Sequence, residues 1–164
     1  MKNALRFLIP FCLLPATLLT GCYTLYVQPE SGPMASITFD KDSSLRFSIA
    51  TYVNPSDCSG GRIFVSPILD ENSTTRRFVA GKSVSLSFDA DLGTSPGYQS
   101  INFHGCDRTI TFTPVDGERY RAQFNGMCQL RILKADGTPL RANEYQNRKW
   151  IRPFSGSGAF CEAL

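Results

Sequence analysis

The chain has 164 residues, with 17 Lys and Arg against 14 Asp and Glu, one histidine and six cysteines. Its length suits one domain, and so small a charge excess is not the balance of a nucleic-acid binder. A single histidine beside cysteines expected to be oxidised excludes the usual zinc ligand sets.

Lys2 and Arg6 precede a 13-residue stretch, Phe7 to Leu19, that is apolar apart from Thr17 and holds Pro10 and Pro15. A membrane span needs about 20 apolar residues, and each proline removes a helical donor and clashes with the preceding turn. A basic start, a short apolar centre and the small residues Thr20 and Gly21 read instead as a secretory signal. Leu19-Thr20-Gly21-Cys22 then resembles the lipobox of bacterial lipoprotein precursors at every position. The resemblance implies cleavage after Gly21, a diacylglycerol on the Cys22 sulfur and a fatty acid such as palmitate on its amine. Two or three acyl chains anchor stably where one is marginal. Tyr23, and not aspartate, follows Cys22, which by the same resemblance implies the outer membrane of a Gram-negative cell. The alternative is an ordinary secretory signal with Cys22 in a disulfide.

Cysteine arithmetic favours the lipid. Cys12 leaves with the signal, and an ordinary thiol at Cys22 would leave an odd five. With Cys22 on lipid, Cys58, Cys106, Cys128 and Cys161 remain, enough for two disulfides in an oxidising compartment. Four cysteines allow three pairings, and spacing does not choose among them. We prefer Cys106–Cys128, with Cys58–Cys161 holding the tail.

The chain divides into a signal (1–21), a lipidated tether (22–33) and one domain (34–164). Without Lys2 and Arg6, 15 basic residues face 14 acidic ones, and Arg outnumbers Lys by 11 to 4. Pro29, Gly32 and Pro33 disfavour regular structure in the tether, whose Tyr23, Leu25 and Tyr26 suit the membrane interface. Residues 23–33 would reach about 36 Å if fully extended.

Beyond the tether the apolar period is two. Ile37 and Phe39 alternate with polar residues, as do Leu45, Phe47, Ile49, Thr51 and Val53. Val84, Leu86 and Phe88 follow, then Ile101 and Phe103, then Ile110 and Phe112. Such alternation marks half-buried antiparallel strands, and "NPSDCSGG", "DADLGTSPG", "VDG", "NG" and "ADGTP" read as turns between them. Seven to nine short strands predict an all-β, antiparallel two-sheet β-sandwich, with a small β-barrel as the alternative. "DKDSS" (40–44) lacks the glycine and distal glutamate of a calcium loop and is expected to be a hairpin turn between the first two strands. Arg76 and Arg77 fit a charged strand edge. In "YRAQFNGMCQLRI", a three-residue loop, Asn125 to Met127, pairs Phe124 with Cys128, Ala122 with Leu130 and Tyr120 with Ile132. A two-residue turn would put polar residues on the apolar face.

"FTPVDGERY", an Asp-Gly turn leading a tyrosine into a strand, is similar to the tyrosine corner of immunoglobulin-like sandwiches. Ala122 stands where those domains carry a cysteine. The overall look resembles small immunoglobulin-like or transthyretin-like lipoprotein domains, a likeness of fold alone.

Chemistry is sparse. His104, in "INFHGCDRT" beside Asp107, could serve a hydrolase as base, but no G-x-S-x-G elbow positions a nucleophile. "SGSG" (155–158) is too short to cradle phosphate, and no cofactor motif is present. "RANEYQNRKWIRPF" (141–154) combines Arg141, Tyr145, Arg148, Trp150, Arg152 and Phe154, with one or two helical turns expected around "LRANEYQNRKW". Trp, Tyr and Arg dominate interface hot spots, so this stretch is a candidate partner surface. Alternatively Trp150 and Phe154 cover the core. For Trp150 the expectation leans to the core, because Cys161 ties down the tail.

The function expected is that of a non-enzymatic lipoprotein at the outer membrane, a binding or assembly component with a protein partner in the envelope. A periplasmic inhibitor of a wall-degrading enzyme is the alternative, and a hydrolase using His104 a third. Cys22→Ser should abolish incorporation of a fatty-acid analogue and leave precursor or soluble protein. Equal labelling of variant and parent would refute the lipobox.

Overall fold

The computed structural model describes residues 24–40, 46–66, 73–96, 101–124, 128–151 and 159–164, with backbone alone for 46, 91–96 and 101–105. Cys22, Arg152, Phe154 and the "SGSG" stretch lie outside these residues. The strands are β1 (Thr24–Leu25), β2 (Met34–Asp40), β3 (Arg46–Asn54), β4 (Ser59–Val65), β5 (Ser73–Val79) and β6 (Val84–Pro96). They continue with β7 (Ile101–Phe112), β8 (Arg119–Phe124), β9 (Leu130–Leu133), β10 (Tyr145–Trp150) and β11 (Cys161–Ala163).

Two sheets pack as a sandwich and do not close into a barrel. The larger runs β1-β4-β3-β6-β7-β10-β11 and the smaller β5-β2-β8-β9. The period of two sorts side chains as expected. Ile37 and Phe39 of the smaller sheet meet Phe47, Ile49, Phe64, Leu86, Phe88, Ile110 and Phe112 of the larger. Burying each such side chain contributes about 1.5–3 kcal/mol relative to leaving it in water. Phe39 packs edge-on against Phe64, with ring centroids 5.6 Å apart, and Phe112 against Tyr120 at 5.3 Å.

Several sequence expectations change. Eleven strands replace seven to nine, because β1 and β11 have two and three residues, too few to show a period. The sheets are mixed and not purely antiparallel: β1 runs parallel to β4, and β2 parallel to β8. β2 and β3 occupy different sheets and do not pair as the expected hairpin; residues 41–45 between them lie outside the described residues. "DADLGTSPG" does not end its strand, since β6 runs on to Pro96. Ile101 to Phe112 is one strand, and Asp91 to Thr94 absorbs a register shift against it. Arg76 and Arg77 lie on β5, an edge of the smaller sheet as expected.

The tyrosine corner is present. The Val115 amide donates to the Tyr120 hydroxyl at 3.0 Å, and the ring behind it is buried. Gly117, at φ 74°, supplies the left-handed turn that a side chain would resist, and its amide reaches Met34 O. In the next hairpin, Phe124 pairs with Leu130 and Ala122 with Ile132. The loop therefore spans 125–129, two residues longer than expected. A two-residue shift keeps every side chain on its own face, so the apolar pattern could not detect it. Outside the ladder, Cys128 adopts φ 58° and bonds to Cys106 on β7.

The preferred pairing is the one observed. Cys106–Cys128 staples sheet to sheet, and Cys58–Cys161 ties the β3–β4 turn to β11, with Cα separations of 5.6 and 5.4 Å. The bridges enclose sequence separations of 22 and 103 residues. Chain entropy gives about 3.4 kcal/mol for the first closure and about 4.7 for the second. Replacing both cysteines of a bridge by Ala should therefore cost more for Cys58/Cys161 than for Cys106/Cys128 in urea unfolding. The reverse order would contradict the chain-entropy account.

Candidate functional site

The stretch proposed as a contact surface is a strand, not a helix. β10 pairs with β7 from Tyr145↔Phe112 to Arg148↔Thr109 and with β11 through Trp150↔Cys161. Two ladders claim its backbone, and alternation then splits its side chains. Tyr145 packs against the core, which puts Gln146, Arg148 and Trp150 on the outer face of the larger sheet.

That outer face is partly dry. Ser85 and Ser87 of β6 oppose Thr111 and Thr109 of β7, behind the core residues Leu86, Phe88 and Ile110. Ser85 is 0% exposed, and Thr109 and Thr111 are buried too. Hydroxyls removed from water must be hydrogen-bonded, and here they form a chain. Arg148 Nε donates to Thr111 Oγ1 at 3.1 Å, Thr111 and Ser85 meet at 2.5 Å, and Ser85 donates to Pro55 O at 2.7 Å. Alongside, the Tyr52 hydroxyl donates to Ser87 Oγ at 2.7 Å, and Ser87 meets Thr109 at 2.6 Å.

The turn after β3 covers this chain. Arg148 Nη1 reaches Ser56 O at 3.2 Å, and the amides of Phe160 and Cys161 donate to Asp57 O at 2.6 and 3.1 Å. Cys58, at φ 56°, then bonds to Cys161. The Ser59 hydroxyl and amide hold the Asp57 carboxyl below its usual range. Over the turn lies a row of rings. Trp150 stands 6.2 Å from Tyr52 and 5.8 Å from Phe160, and it is 41% exposed. Trp150 therefore lies outside the core, against the expectation that leaned inward. It cannot point to the interior while Tyr145 does, because the two are five residues apart and so on opposite faces.

The expected surface is only partly assembled. Arg148 and Trp150 come together, and among the described residues no carboxylate pairs with Arg148. Arg141 sits beyond the other end of β10, where its amide and carbonyl both bond to Glu144. Tyr145 faces the core, and Arg152 lies outside the described residues. His104 is on β7, with its side chain outside them also. Among the described residues, no group of three His, Cys, Asp or Glu could hold a metal ion.

The sequence did not single out Tyr52, Ser85 and Thr111, because polar positions on a period-two strand read as solvent-facing, nor Phe160, which precedes the three-residue β11 and belongs to no period. It also missed a groove of about 680 Å³ beside β9, lined by Ile110, Leu130, Ile132 and Leu140 with Arg108 and Arg131. There the larger sheet extends past the smaller one, a mismatch that no local pattern encodes.

Comparison of the chain with protein-family models, curated proteins and solved structures finds no match.

Ser85→Ala removes the donor to Pro55 O and a partner of Thr111, and should cost about 1–3 kcal/mol in urea unfolding. The exposed Ser83→Ala should stay within about 0.5 kcal/mol. Equal, small effects would mean that water reaches this chain of hydroxyls.

Proposed function

We propose that the chain is a lipid-anchored, non-enzymatic binding or assembly component of the Gram-negative outer membrane, meeting an envelope protein through the face around Trp150. The observation carrying this reading is that Trp150 is 41% exposed while held between Tyr52 and Phe160 on a disulfide-pinned surface. A large aromatic side chain fixed before contact loses little freedom on binding, which favours affinity. Arg148 adds a cation beside it, and Trp, Tyr and Arg are the residue types that most often dominate interfaces. The anchoring part rests on Leu19-Thr20-Gly21-Cys22.

Trp150→Ala separates contact from packing. At an interface centre it should weaken partner binding by about 2 kcal/mol or more, roughly 30-fold. Its effect on stability should fall well short of the about 3–5 kcal/mol expected for a buried Trp. Recovery of one protein from cross-linked envelopes by the parent, lost with Trp150→Ala at a nearly unchanged melting temperature, would support the reading. A collapse in melting temperature, or undiminished recovery, would overturn it. Turnover of ester or glycan substrates by the parent would overturn its non-enzymatic part.

A further inference from the structure

The segment expected to be a free tether is part of the domain. Thr24 and Leu25 pair in parallel with Arg62 and Ile63, and the Tyr26 amide continues the ladder to Ile63 O at 2.8 Å. The Tyr26 ring packs edge-on against Phe64, with centroids 4.6 Å apart. Its hydroxyl crosses to the smaller sheet and donates to Arg77 O at 3.0 Å. Gln28 Oε1 accepts the Arg77 amide at 2.9 Å. Residues 24–28 thus lace β4 to β5 and close one side of the sandwich. Burial pushes the Tyr26 hydroxyl above its usual pKa, partly opposed by nearby Arg62, consistent with a docked ring.

Docking shortens the leash. Cys22 precedes Thr24 by two residues, so its Cα lies within about 7 Å of that of Thr24. The free tether would have allowed about 36 Å. Leu25 and Val27, 58% and 79% exposed, present apolar side chains along this edge. Arg62 is near the Tyr26 hydroxyl, and Arg77, whose carbonyl accepts from that hydroxyl, is exposed.

We infer that the domain lies on the bilayer by its β1–β4 edge, with Leu25 and Val27 at headgroup level and Arg62 and Arg77 facing anionic headgroups. This rests on the anchoring read from Cys22. Acyl chains starting within about 7 Å of the edge leave it no room to turn away. Apolar side chains rimmed by arginines match an interface of anionic headgroups over hydrocarbon. The Trp150 ring stands beside that of Tyr52 on β3, two strands from β1, about 10 Å at about 4.8 Å per strand. It then stands above the headgroups on the outer face of the larger sheet, open to a partner.

The chain has one tryptophan, which makes orientation measurable. The full-length, processed protein is reconstituted into phosphatidylethanolamine–phosphatidylglycerol vesicles containing a brominated phosphatidylcholine, a contact quencher of indole. Fatty-acid analogue incorporation is checked on the same preparation. In the parent, Trp150 emission should be retained. In Val27→Trp/Trp150→Phe, the new indole should lose most of its emission, and Leu25→Trp/Trp150→Phe repeats the measurement at a neighbouring exposed position. Labelled protein with quenched Trp150, or with unquenched indoles at both 25 and 27, overturns the orientation and leaves the anchor standing. Protein without label overturns the anchor, and the orientation with it.

Discussion

The structure depends on the β6–β7 pair having both its faces covered. On the inside, Leu86, Phe88, Ile110 and Phe112 meet the smaller sheet. On the outside, Ser85 and Thr111 bond to each other under a turn whose Pro55 carbonyl accepts from Ser85. An unpaired hydroxyl in such a place costs several times what a surface hydroxyl costs. The turn must therefore sit where Pro55 O meets Ser85, and that position in turn fixes Tyr52, Trp150 and Phe160. The candidate surface follows from satisfying buried polar groups.

Sequence revealed the fold more fully than the site. Burial along β2 and β8 follows the alternation of Ile37 and Phe39, and of Tyr120, Ala122 and Phe124, because one face of each strand meets the core. Asp116-Gly117 followed by Tyr120 was legible for a local reason: the corner is built within a few residues. The Phe124 hairpin marks the limit, since faces are conserved under a two-residue shift. Parallel pairing of β2 with β8 was hidden because it joins segments about 80 residues apart in the chain and changes no side-chain period.

The candidate site was half visible. "YQNRKW" signalled recognition by residue type, but its division into inward Tyr145 and outward Trp150 required knowing that it was a strand. Ser85 and Thr111 gave no sign, because nothing local tells a buried hydroxyl from a wet one. Tyr26 misled for the opposite reason. Its Pro- and Gly-bearing neighbours suggest a loose linker, while the feature that holds it is the unpaired outer edge of β4, over 30 residues away.

The Cys58–Cys161 bridge bears on the order of assembly. In a chain entering an oxidising compartment N-terminus first, Cys58 and Cys106 emerge before either native partner, and Cys161 comes last. Joining cysteines as they appear would give Cys58–Cys106 and Cys128–Cys161, neither of which is native. The observed pairing is nested, with Cys106–Cys128 enclosed inside Cys58–Cys161. Reaching it requires either that Cys58 wait as a free thiol until nearly the whole chain has arrived, or that a disulfide isomerase undo an early mistake. A cell that oxidises thiols quickly and isomerises them poorly would accumulate this protein in a form whose outer face never closes.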